Sequence, residues 1–255
     1  MMIDELRRRL DDIDGQMMRL LESRLDVSKR IAEYKRINEL PICDKARECA
    51  VLKSRINMLE NRDYESSGRI MAQTLIELSK IEQKKAYNLY LIGMPGAGKS
   101  AALEPLARML SRDTMDTDAE VMRVSGMDID TIFQRLGEDG FRRIESRIIF
   151  DAARRGGLVV ATGGGAVTSK ENINIMRYSG YIVFLDRSIS RLIKIDTENR
   201  PLIKGGDDRI IRLYRKRKPL YRKYADFTVD PDLPDTYIHI SSWFKKKIGL
   251  NLLLP

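Results

Sequence analysis

The most informative stretch of this sequence is Gly93-Met94-Pro95-Gly96-Ala97-Gly98-Lys99-Ser100. It fits the pattern G-x-x-x-x-G-K-[ST], in which glycines let backbone N–H groups surround a phosphate. An apolar run, residues 87–93, overlaps its start, and an amphipathic stretch, residues 99–110, overlaps its end. In this pattern Lys99 reaches the outer phosphates and Ser100 ligates magnesium at a helix N-terminus. The stretch therefore predicts a site for a nucleoside triphosphate, but it does not name the acceptor.

Three more short apolar runs follow, at residues 158–162, 181–186 and 227–230, and helical patterns lie between them. Strands that alternate with helices predict a parallel α/β sheet. We therefore expect one α/β domain over residues 87–255. No linker rich in Pro, Gly or Ser separates it from the residues before it.

Polar residues and glycines stand where such sheets bind ligands, at the carboxyl ends of strands. Asp116-Thr117-Asp118 follows the expected second strand, and its carboxylates are suited to magnesium and to an acceptor hydroxyl. Thr162-Gly163-Gly164-Gly165 ends the run 158–162, and its glycines permit close approach of a ligand to the backbone. Arg142 and Glu145 share one helix face. A solvated loop, a flexible turn and a surface ion pair are the structural alternatives.

The first 86 residues are helical throughout in pattern. Apolar side chains recur at alternating steps of three and four, with one arginine among them. The stripe consists of Ile3, Leu6, Leu10, Ile13, Met17, Leu20, Arg24, Val27, Ile31 and Tyr34. Such a helix exceeds about 45 Å, too long to be covered in a small monomeric bundle, so the pattern favours a dimer. Pro41 ends it, and a second helix follows at about residues 45–62, capped by Asp44. A third helix is expected at 69–85, with Met71, Leu75 and Leu78 inward.

One position of this stripe is charged. Arg24 lies among apolar residues, and a buried guanidinium needs a fixed anion or must reach the surface. Lys35 lies on the same helix face, whereas Arg7 addresses a different one. Ser79 and Gln83 prolong the apolar line of the third helix. Such polar groups suit the end of a wet or ligand-filled pocket. The residues alone, however, favour a helical dimerisation domain with structural ion pairs, because surface ion pairs are common.

The charge of the chain is unevenly distributed. The net charge is +9, and between Arg187 and Lys223 there are 13 basic residues and four acidic ones. Such a segment is typical of a nucleic-acid surface, of a site for small phosphates and carboxylates, or of a solvated helix face. No apolar run predicts a membrane span or a signal peptide. Two cysteines and one histidine predict no metal cluster and a reduced, cytoplasmic setting.

Residues 88 to about 245 resemble the shikimate kinase family. The resemblance rests on GMPGAGKS, DTD, GEDGFRRIES, TGGGAV, RPLI and RKRKPLYRKYAD, in the family's order. It implies a nucleoside-monophosphate-kinase-like fold that uses ATP and Mg²⁺ to phosphorylate the 3-hydroxyl of shikimate. The implied nucleotide contacts are Gly93, Gly96, Ala97, Gly98, Lys99, Ser100 and Ala101. The implied shikimate contacts are Asp118, Arg142, Gly163, Gly164, Gly165 and Arg217.

The resemblance also implies individual roles. Asp118 would accept the proton of the attacking hydroxyl, and Ser100 and Asp116 would hold magnesium. Arg200 looks like the lid arginine that closes over the transferred phosphate. Together with Lys99 it would neutralise the charge that develops during transfer.

Two arginines of the resemblance, Arg142 and Arg217, would hold the shikimate carboxylate by paired hydrogen bonds. The chain departs from the family at Ala101, where threonine is usual, so one contact to the α-phosphate is in doubt. The arginine that stacks on adenine has no clear counterpart, and Lys194 is a weak match for it.

Residues 2–86 resemble the all-helical chorismate mutase family. The resemblance rests on Leu6-Arg7, Asp14, Leu20 to Arg24, Tyr34-Lys35, Pro41 to Asp44, Arg47-Glu48, Ser79 and Gln83. It implies the rearrangement of chorismate to prephenate, without cofactor or metal, in a homodimer. The implied chorismate contacts are Arg7 from the partner chain, Arg24, Lys35, Asp44, Arg47, Glu48, Ser79 and Gln83.

Within this set the resemblance implies that Arg7, Arg24 and Ser79 bind the carboxylates. Lys35 and Gln83 would bond the ether oxygen, where cations and amide donors stabilise the growing charge. The ring hydroxyl would be surrounded by Asp44, Arg47 and Glu48.

The leading hypothesis is therefore a bifunctional enzyme of aromatic amino-acid biosynthesis. An all-α three-helix domain, residues 1–86, precedes an α/β P-loop kinase, residues 87–255. The first alternative is a shikimate kinase whose helical domain only dimerises or regulates it. A P-loop kinase for another polyol or nucleoside is disfavoured by Arg142 and Arg217, which suit an anionic acceptor. The expected partners are shikimate, ATP, chorismate and a second copy of the chain, with neither nucleic acid nor membrane.

Overall fold

The computed structural model describes residues 3–38, 40, 44–194 and 207–249. The chain divides into two compact units, Met1–Lys85 and Ala86–Pro255. The first is all helical, and the second alternates helices with parallel strands. This confirms the fold class predicted from the sequence.

Three helices build the first unit: α1 (Ile3–Ile37), α2 (Lys45–Ile56) and α3 (Glu65–Lys85), with a short 3₁₀-helix at Arg62–Tyr64. Asp44 caps α2 as predicted, because its carboxylate accepts from the backbone N–H of Arg47 at 2.9 Å. The second helix ends at Ile56 rather than near residue 62. The reason is local: Asn61 accepts from the N–H of Asp63 at 2.9 Å and starts the 3₁₀-helix instead.

The apolar stripe of α1 faces outward in the described unit. Its apolar members are all exposed, with Leu20 70% and Tyr34 63% accessible. The face of α1 that is buried carries the small side chains of Ser28 and Ala32, and α1 packs mainly on α3. Met71 of α3 is 45% exposed, so its expected inward position is wrong for this unit.

The second unit contains a five-stranded parallel sheet in the order β2-β3-β1-β4-β5. The strands are β1 (Asn88–Ile92), β2 (Asp113–Asp116), β3 (Leu158–Ala161), β4 (Gly180–Leu185) and β5 (Phe227–Val229). The helices are α4 (Lys99–Leu110), α5 (Thr117–Ser125), α6 (Ile129–Arg155), α7 (Lys170–Ser179), α8 (Ile189–Ile193), α9 (Asp207–Tyr224) and α10 (Thr236–Ile248). Each predicted strand is present, and α4 has the predicted bounds.

The central strand β1 is buried on both faces. Leu89 and Leu91 pack into one core cluster, and Tyr90 and Ile92 pack into another on the opposite face. Continuous apolar runs are typical of parallel strands covered by helices on both sides. The crossover from β1 to β2 and the crossover from β3 to β4 run in opposite directions, so a crevice opens between the neighbouring strands β1 and β3 at the carboxyl edge of the sheet.

None of the described helices combines the length and the apolar character that a membrane span requires.

Candidate active sites

The glycine-rich residues 93–98, which we call the phosphate loop, lie between β1 and α4 at this carboxyl edge. Gly98 precedes α4 with φ 89°, and no side chain caps the helix, so its first N–H groups are available to an anion. Gly93 has φ 152°, and a Cβ there would stand 2.8 Å from the carbonyl oxygen of Leu185. Lys99 is 9% exposed, and its Nζ donates to the carbonyls of Gly93 and Met94, both at 2.9 Å. These bonds hold the lysine against the loop, where it could neutralise the phosphates of a bound nucleotide.

Two oxygen ligands meet beside this loop. Ser100 Oγ donates to Asp116 Oδ2 at 2.5 Å, while Asp116 Oδ1 caps α5 by accepting from the N–H of Asp118 at 3.0 Å. Among the described residues, no group of three or more His, Cys, Asp or Glu side chains is arranged around a metal ion. Mg²⁺ commonly takes one or two protein oxygens and completes its shell with phosphates and water. This donor pair therefore fits magnesium bound together with a nucleotide.

The predicted acceptor side of the site, formed by Asp118, Arg142 and Glu145, contains a partly buried ion pair. Arg142 Nη1 donates to Glu145 Oε2 at 2.7 Å, and its Nη2 donates to Glu138 at 3.0 Å. Glu145 is fully buried, and its Oε1 has no hydrogen-bond partner in the described part of the chain. Burial raises the pKa of Glu145 against the opposing pull of Arg142. Burial opposes the charge on Arg142, but the two carboxylates raise its pKa above the ordinary value.

The glycine run after β3 lies against these side chains. A Cβ on Gly165 would collide with the Arg142 guanidinium, and a Cβ on Gly163 would stand 2.7 Å from Asp118 Oδ1 and still closer to Glu145. Gly163 N–H donates to Thr117 Oγ1 at 2.8 Å. A side chain at either glycine would therefore have to displace the charged groups.

Helix α9 reaches the same loop. Arg217 is 4% exposed, and its Nη1 lacks a hydrogen-bond partner among the described residues. Burial lowers the pKa of Arg217, partly offset by Tyr221. One turn on, the Tyr221 hydroxyl donates to the carbonyl of Gly164 at 2.6 Å, and burial raises its pKa to about 12. Tyr221 therefore fastens the helix that carries Arg217 to the glycine run.

A cavity of 580 Å³ joins the phosphate loop to the acceptor side. Among the predicted residues, its walls include Gly96, Gly98, Lys99, Ser100, Ala101, Asp116, Asp118, Arg142, Gly163, Gly164 and Gly165. Gly93, Ala97 and Arg217 are not among its walls. Arg200 lies outside the described residues, and Lys194 ends α8 without lining the cavity.

In the helical unit, Arg24 lies at a hydrogen-bonded cluster. Its Nη1 donates to Ser79 Oγ at 2.6 Å, and Ser28 Oγ donates to the same oxygen at 2.9 Å. Burial lowers the pKa of Arg24, and the charge of Arg55 lowers it further. Gln83, one turn beyond Ser79 on α3, is 8% exposed, and its Oε1 lacks a hydrogen-bond partner within the described residues.

The remaining predicted mutase residues differ in burial and in partners. Lys35 is half-buried, and Glu48 forms an ion pair with Lys80 of α3 at 3.3 Å. Asp44 and Arg47 are exposed at the start of α2.

Arg7 is exposed near the start of α1 and pairs with Asp4 at 3.4 Å. It precedes Arg24 by 17 residues on one helix, which is about 25 Å at 1.5 Å per residue. The structure therefore does not bring Arg7 to the Arg24 cluster of its own chain.

The sequence model of the shikimate kinase family matches residues 95–241, more than half of the chain. The chain belongs to the shikimate kinase family. The shikimate kinase of Pasteurella multocida is 41% identical over 150 residues, which cover 57% of this chain and 86% of the relative. The shikimate kinase of Dechloromonas aromatica is 38% identical over 162 residues, which cover 62% of this chain and 87% of that relative.

Two solved shikimate kinases have the fold of the second unit. The enzyme from Acinetobacter baumannii, solved in complex with shikimate, superposes with a TM-score of 0.60 at 31% identity, covering 69% of this chain and 99% of the other. The Aquifex aeolicus enzyme superposes with a TM-score of 0.52 at 33% identity, covering 65% of this chain and 95% of the other. The chorismate mutase type II model matches residues 6–84. The chain thus joins a chorismate mutase domain to a shikimate kinase domain, which confirms the leading family assignment.

Sequence reasoning missed several residues of these two domains. Arg187 lines the kinase cavity, and Phe133 and Phe141 give it an apolar wall. Lys80 and Arg55 lie beside predicted mutase residues. These residues are brought to the sites by packing between segments far apart in sequence, so no local spacing indicates them.

Proposed function

We propose that this chain catalyses two reactions of aromatic amino-acid biosynthesis. The second unit phosphorylates the 3-hydroxyl of shikimate with ATP, and the first rearranges chorismate to prephenate. The observation that supports the kinase most directly is that the phosphate loop, Asp118 and Arg142 line one cavity. Family matches to both domains support the pairing of the two activities.

In the proposed kinase, Arg142 binds the carboxylate of shikimate, joined by Arg217 from α9. Asp118 accepts the proton of the attacking hydroxyl. Lys99 neutralises the outer phosphates, and Arg200 closes over the transferred group. Catalysis then consists of alignment and charge stabilisation, as is usual for phosphoryl transfer.

We propose that Ser100 and Asp116 hold Mg²⁺ with the nucleotide, since their oxygens already lie 2.5 Å apart at the cavity wall. When bound, the ion neutralises charge on the β- and γ-phosphates.

In the proposed mutase, Arg24 and Ser79 bind a carboxylate of chorismate, and Lys35 and Gln83 stabilise the ether oxygen as its bond breaks. Asp44, Arg47 and Glu48 face the ring hydroxyl in this proposal. The reaction occurs within one molecule, so the site needs only to hold a compact conformer and to stabilise developing charge. It requires neither cofactor nor metal.

We also propose that the helical unit forms a homodimer. The exposed apolar stripe of α1 is a surface that a second copy would cover, because contiguous apolar patches mark interaction surfaces. The distance of about 25 Å along α1 between Arg7 and Arg24 means that Arg7 can complete only a partner's site. The use of ATP and the free thiol of Cys49 support a reducing, cytoplasmic setting as part of the proposal.

Two assays on the purified chain test this function. We expect ADP release that requires both ATP and shikimate, and loss of chorismate followed at its absorbance band. Kinase turnover without mutase turnover would favour the alternative, in which the helical unit only dimerises or regulates the kinase. Absence of shikimate-dependent ADP release would refute the kinase proposal.

A further inference from the structure

Arg55, in the last turn of α2, is near enough to Arg24 for its positive charge to lower the pKa of that guanidinium. Arg55 is half-buried, and its Nε is buried with no hydrogen-bond partner among the described residues. The Oε1 atom of Gln83 is likewise buried and unpartnered in that part of the chain. Buried polar atoms without partners are rare in native proteins, because each costs free energy that water or a ligand would otherwise supply.

The positive charges of Arg24 and Arg55 also repel each other. Burial and then the charge of Arg55 lower the pKa of Arg24. Within the described residues, no carboxylate forms a salt bridge with either guanidinium. The nearby Lys80 differs, because Glu48 and Glu77 neutralise it at 3.3 Å and 2.8 Å. Like charges held together without a counter-ion destabilise a fold, and such arrangements occur where a ligand supplies the missing charge.

We propose that Arg55 is a second substrate-binding cation of the mutase unit, which with Arg24 grips a ligand that carries two carboxylates. The inference rests on the proposed mutase function and adds to it a residue from the same chain. With Ser79 already bound to Arg24, the pair presents guanidinium donors of fixed planar geometry, which suit carboxylates. A dicarboxylate would therefore be preferred over a monocarboxylate of similar size.

The test is Arg55→Met, which keeps side-chain length and removes the charge. We expect the Kd of prephenate, measured by calorimetry, to rise about tenfold or more, as for loss of a charged hydrogen bond. The melting temperature of the unliganded protein should stay the same or rise, because a repulsion and an unpaired buried nitrogen are removed. Lys53→Met, an exposed position of the same helix, is the matched control and should change neither value.

Equal prephenate affinity in wild type and Arg55→Met, or no binding to the wild type, overturns the inference. A lower melting temperature with unchanged affinity gives Arg55 a structural role and also overturns it. Arg55-dependent binding of prephenate by a wild type that does not turn over chorismate refutes the mutase function but leaves the dicarboxylate site standing.

A second, independent observation concerns Arg187, which follows β4 in the kinase unit. Its Nη1 donates to the carbonyl of Gly96 in the phosphate loop at 2.7 Å. Its Nε and Nη2 donate to the two carboxylate oxygens of Asp232, after β5, at 3.1 Å and 2.7 Å. Asp232 also pairs with Arg191 at 2.8 Å. One guanidinium thus ties the phosphate loop to the segment that follows the edge strand.

The position of Arg187 also gives it access to a nucleotide. It lines the cavity, and its Nη2 lies 3.7 Å from the place where a Cβ of Gly98 would stand. A guanidinium has five N–H donors, and the three bonds to Gly96 and Asp232 use three of them. The geometry points to Arg187 as a positioning residue that fixes the phosphate loop for the nucleotide and leaves the acceptor side unaffected.

Arg187→Gln tests this inference, with Arg191→Gln as the matched control that also pairs with Asp232 but does not bond to the loop. We expect the KM for ATP to rise about tenfold in Arg187→Gln, as for a lost charged hydrogen bond, and the KM for shikimate to stay unchanged. Arg187→Lys should not restore the KM for ATP, because an ammonium lacks the planar fork. Binding of a fluorescent ATP analogue should weaken in parallel.

An equal change in both KM values, or a change in neither, overturns the assignment. So does an effect of Arg191→Gln on ATP as large as that of Arg187→Gln, because the ion pair alone would then explain the result.

Discussion

At the residue scale, the glycine run after β3 is limited by space rather than by backbone conformation. Gly165 has φ −97°, an ordinary value, yet a Cβ there would collide with the Arg142 guanidinium. We predict that Gly165→Ala raises the KM for shikimate about tenfold and leaves the KM for ATP nearly unchanged, because overpacking shifts the arginine. Steady-state kinetics with each substrate varied measures both.

Gly15→Ala is the control for this prediction, since a Cβ at that helical glycine meets Arg19 only at an ordinary 3.6 Å. An unaltered KM for shikimate in Gly165→Ala would mean that Arg142 does not bind the acceptor in the position described.

Tyr221 connects α9 with this run through one hydrogen bond. Tyr221→Phe leaves the buried Gly164 carbonyl without its donor, and we predict a loss of about 1–3 kcal/mol in the free energy of unfolding at pH 8. The folded-state pKa of Tyr221, about 12, lies above the value of about 10 for an unfolded tyrosine. Its contribution is therefore complete below pH 10 and is lost as the pH rises through 12. Denaturant unfolding of the wild type and of Tyr221→Phe from pH 8 to 12 measures this. The difference between their free energies of unfolding should become smaller as the pH approaches 12.

Gln83 provides a pH test of the mutase site. Its amide is neutral at every working pH, so activity should persist at neutral pH. In Gln83→Glu only the protonated carboxyl can donate to the ether oxygen, and burial at this 8% exposed position raises the pKa of the new carboxyl. We predict that the optimum of mutase turnover moves to acid. A pH–rate profile that matches the wild type would remove Gln83 from the site.

At the element scale, α1 carries the proposed dimer interface. We predict that Leu10→Glu, in the middle of the exposed stripe, converts the dimer to a monomer, because a buried unpaired carboxylate is costly. Mutase activity should fall with it, since Arg7 no longer reaches a partner's site, while kinase activity stays. Sedimentation equilibrium and the two assays measure this. Glu22→Lys, an exposed position outside the stripe, is the control; a dimer that survives Leu10→Glu contradicts the interface.

Elements with strong local signals were predictable from the sequence. The apolar runs and the glycine loop located β1 and α4 because strand, turn and helix each leave a short-range pattern. The start of α3 was missed, since Asn61 and Asp63 favour a 3₁₀-helix that apolar periodicity does not indicate. Periodicity also identified the apolar face of α1, but it does not indicate which surface covers that face.

The same distinction applies to the sites. Strand ends and the family resemblance together pointed to Asp118 and Arg142, because both lie in short recognisable segments. Lys80, Arg55 and Arg187 lie in no such segment, and the packing of helices and strand ends brings them to their positions. Sequence patterns therefore indicate the residues that one segment supplies, whereas contacts between segments require the folded structure.

At the scale of the whole molecule, two compact units carry two chemistries with little in common. In the proposed function, one unit holds a small dicarboxylate among helices, and the other aligns a nucleotide and an acceptor at the edge of a sheet. The excess of basic residues between 187 and 223 belongs to the kinase unit, where we propose that Arg187 and Arg217 act on the nucleotide and on the acceptor carboxylate. Each activity should therefore depend on its own residues.

The central claim is tested most directly by measuring both activities in two single variants of the full chain. Arg24→Ala should abolish chorismate turnover and leave shikimate-dependent ADP release near the wild-type rate. Lys99→Met, which removes the cation beneath the phosphate loop, should abolish shikimate-dependent ADP release and leave chorismate turnover near the wild-type rate. Loss of both activities in either variant, or survival of mutase turnover in Arg24→Ala, would contradict the assignment of one active site to each unit.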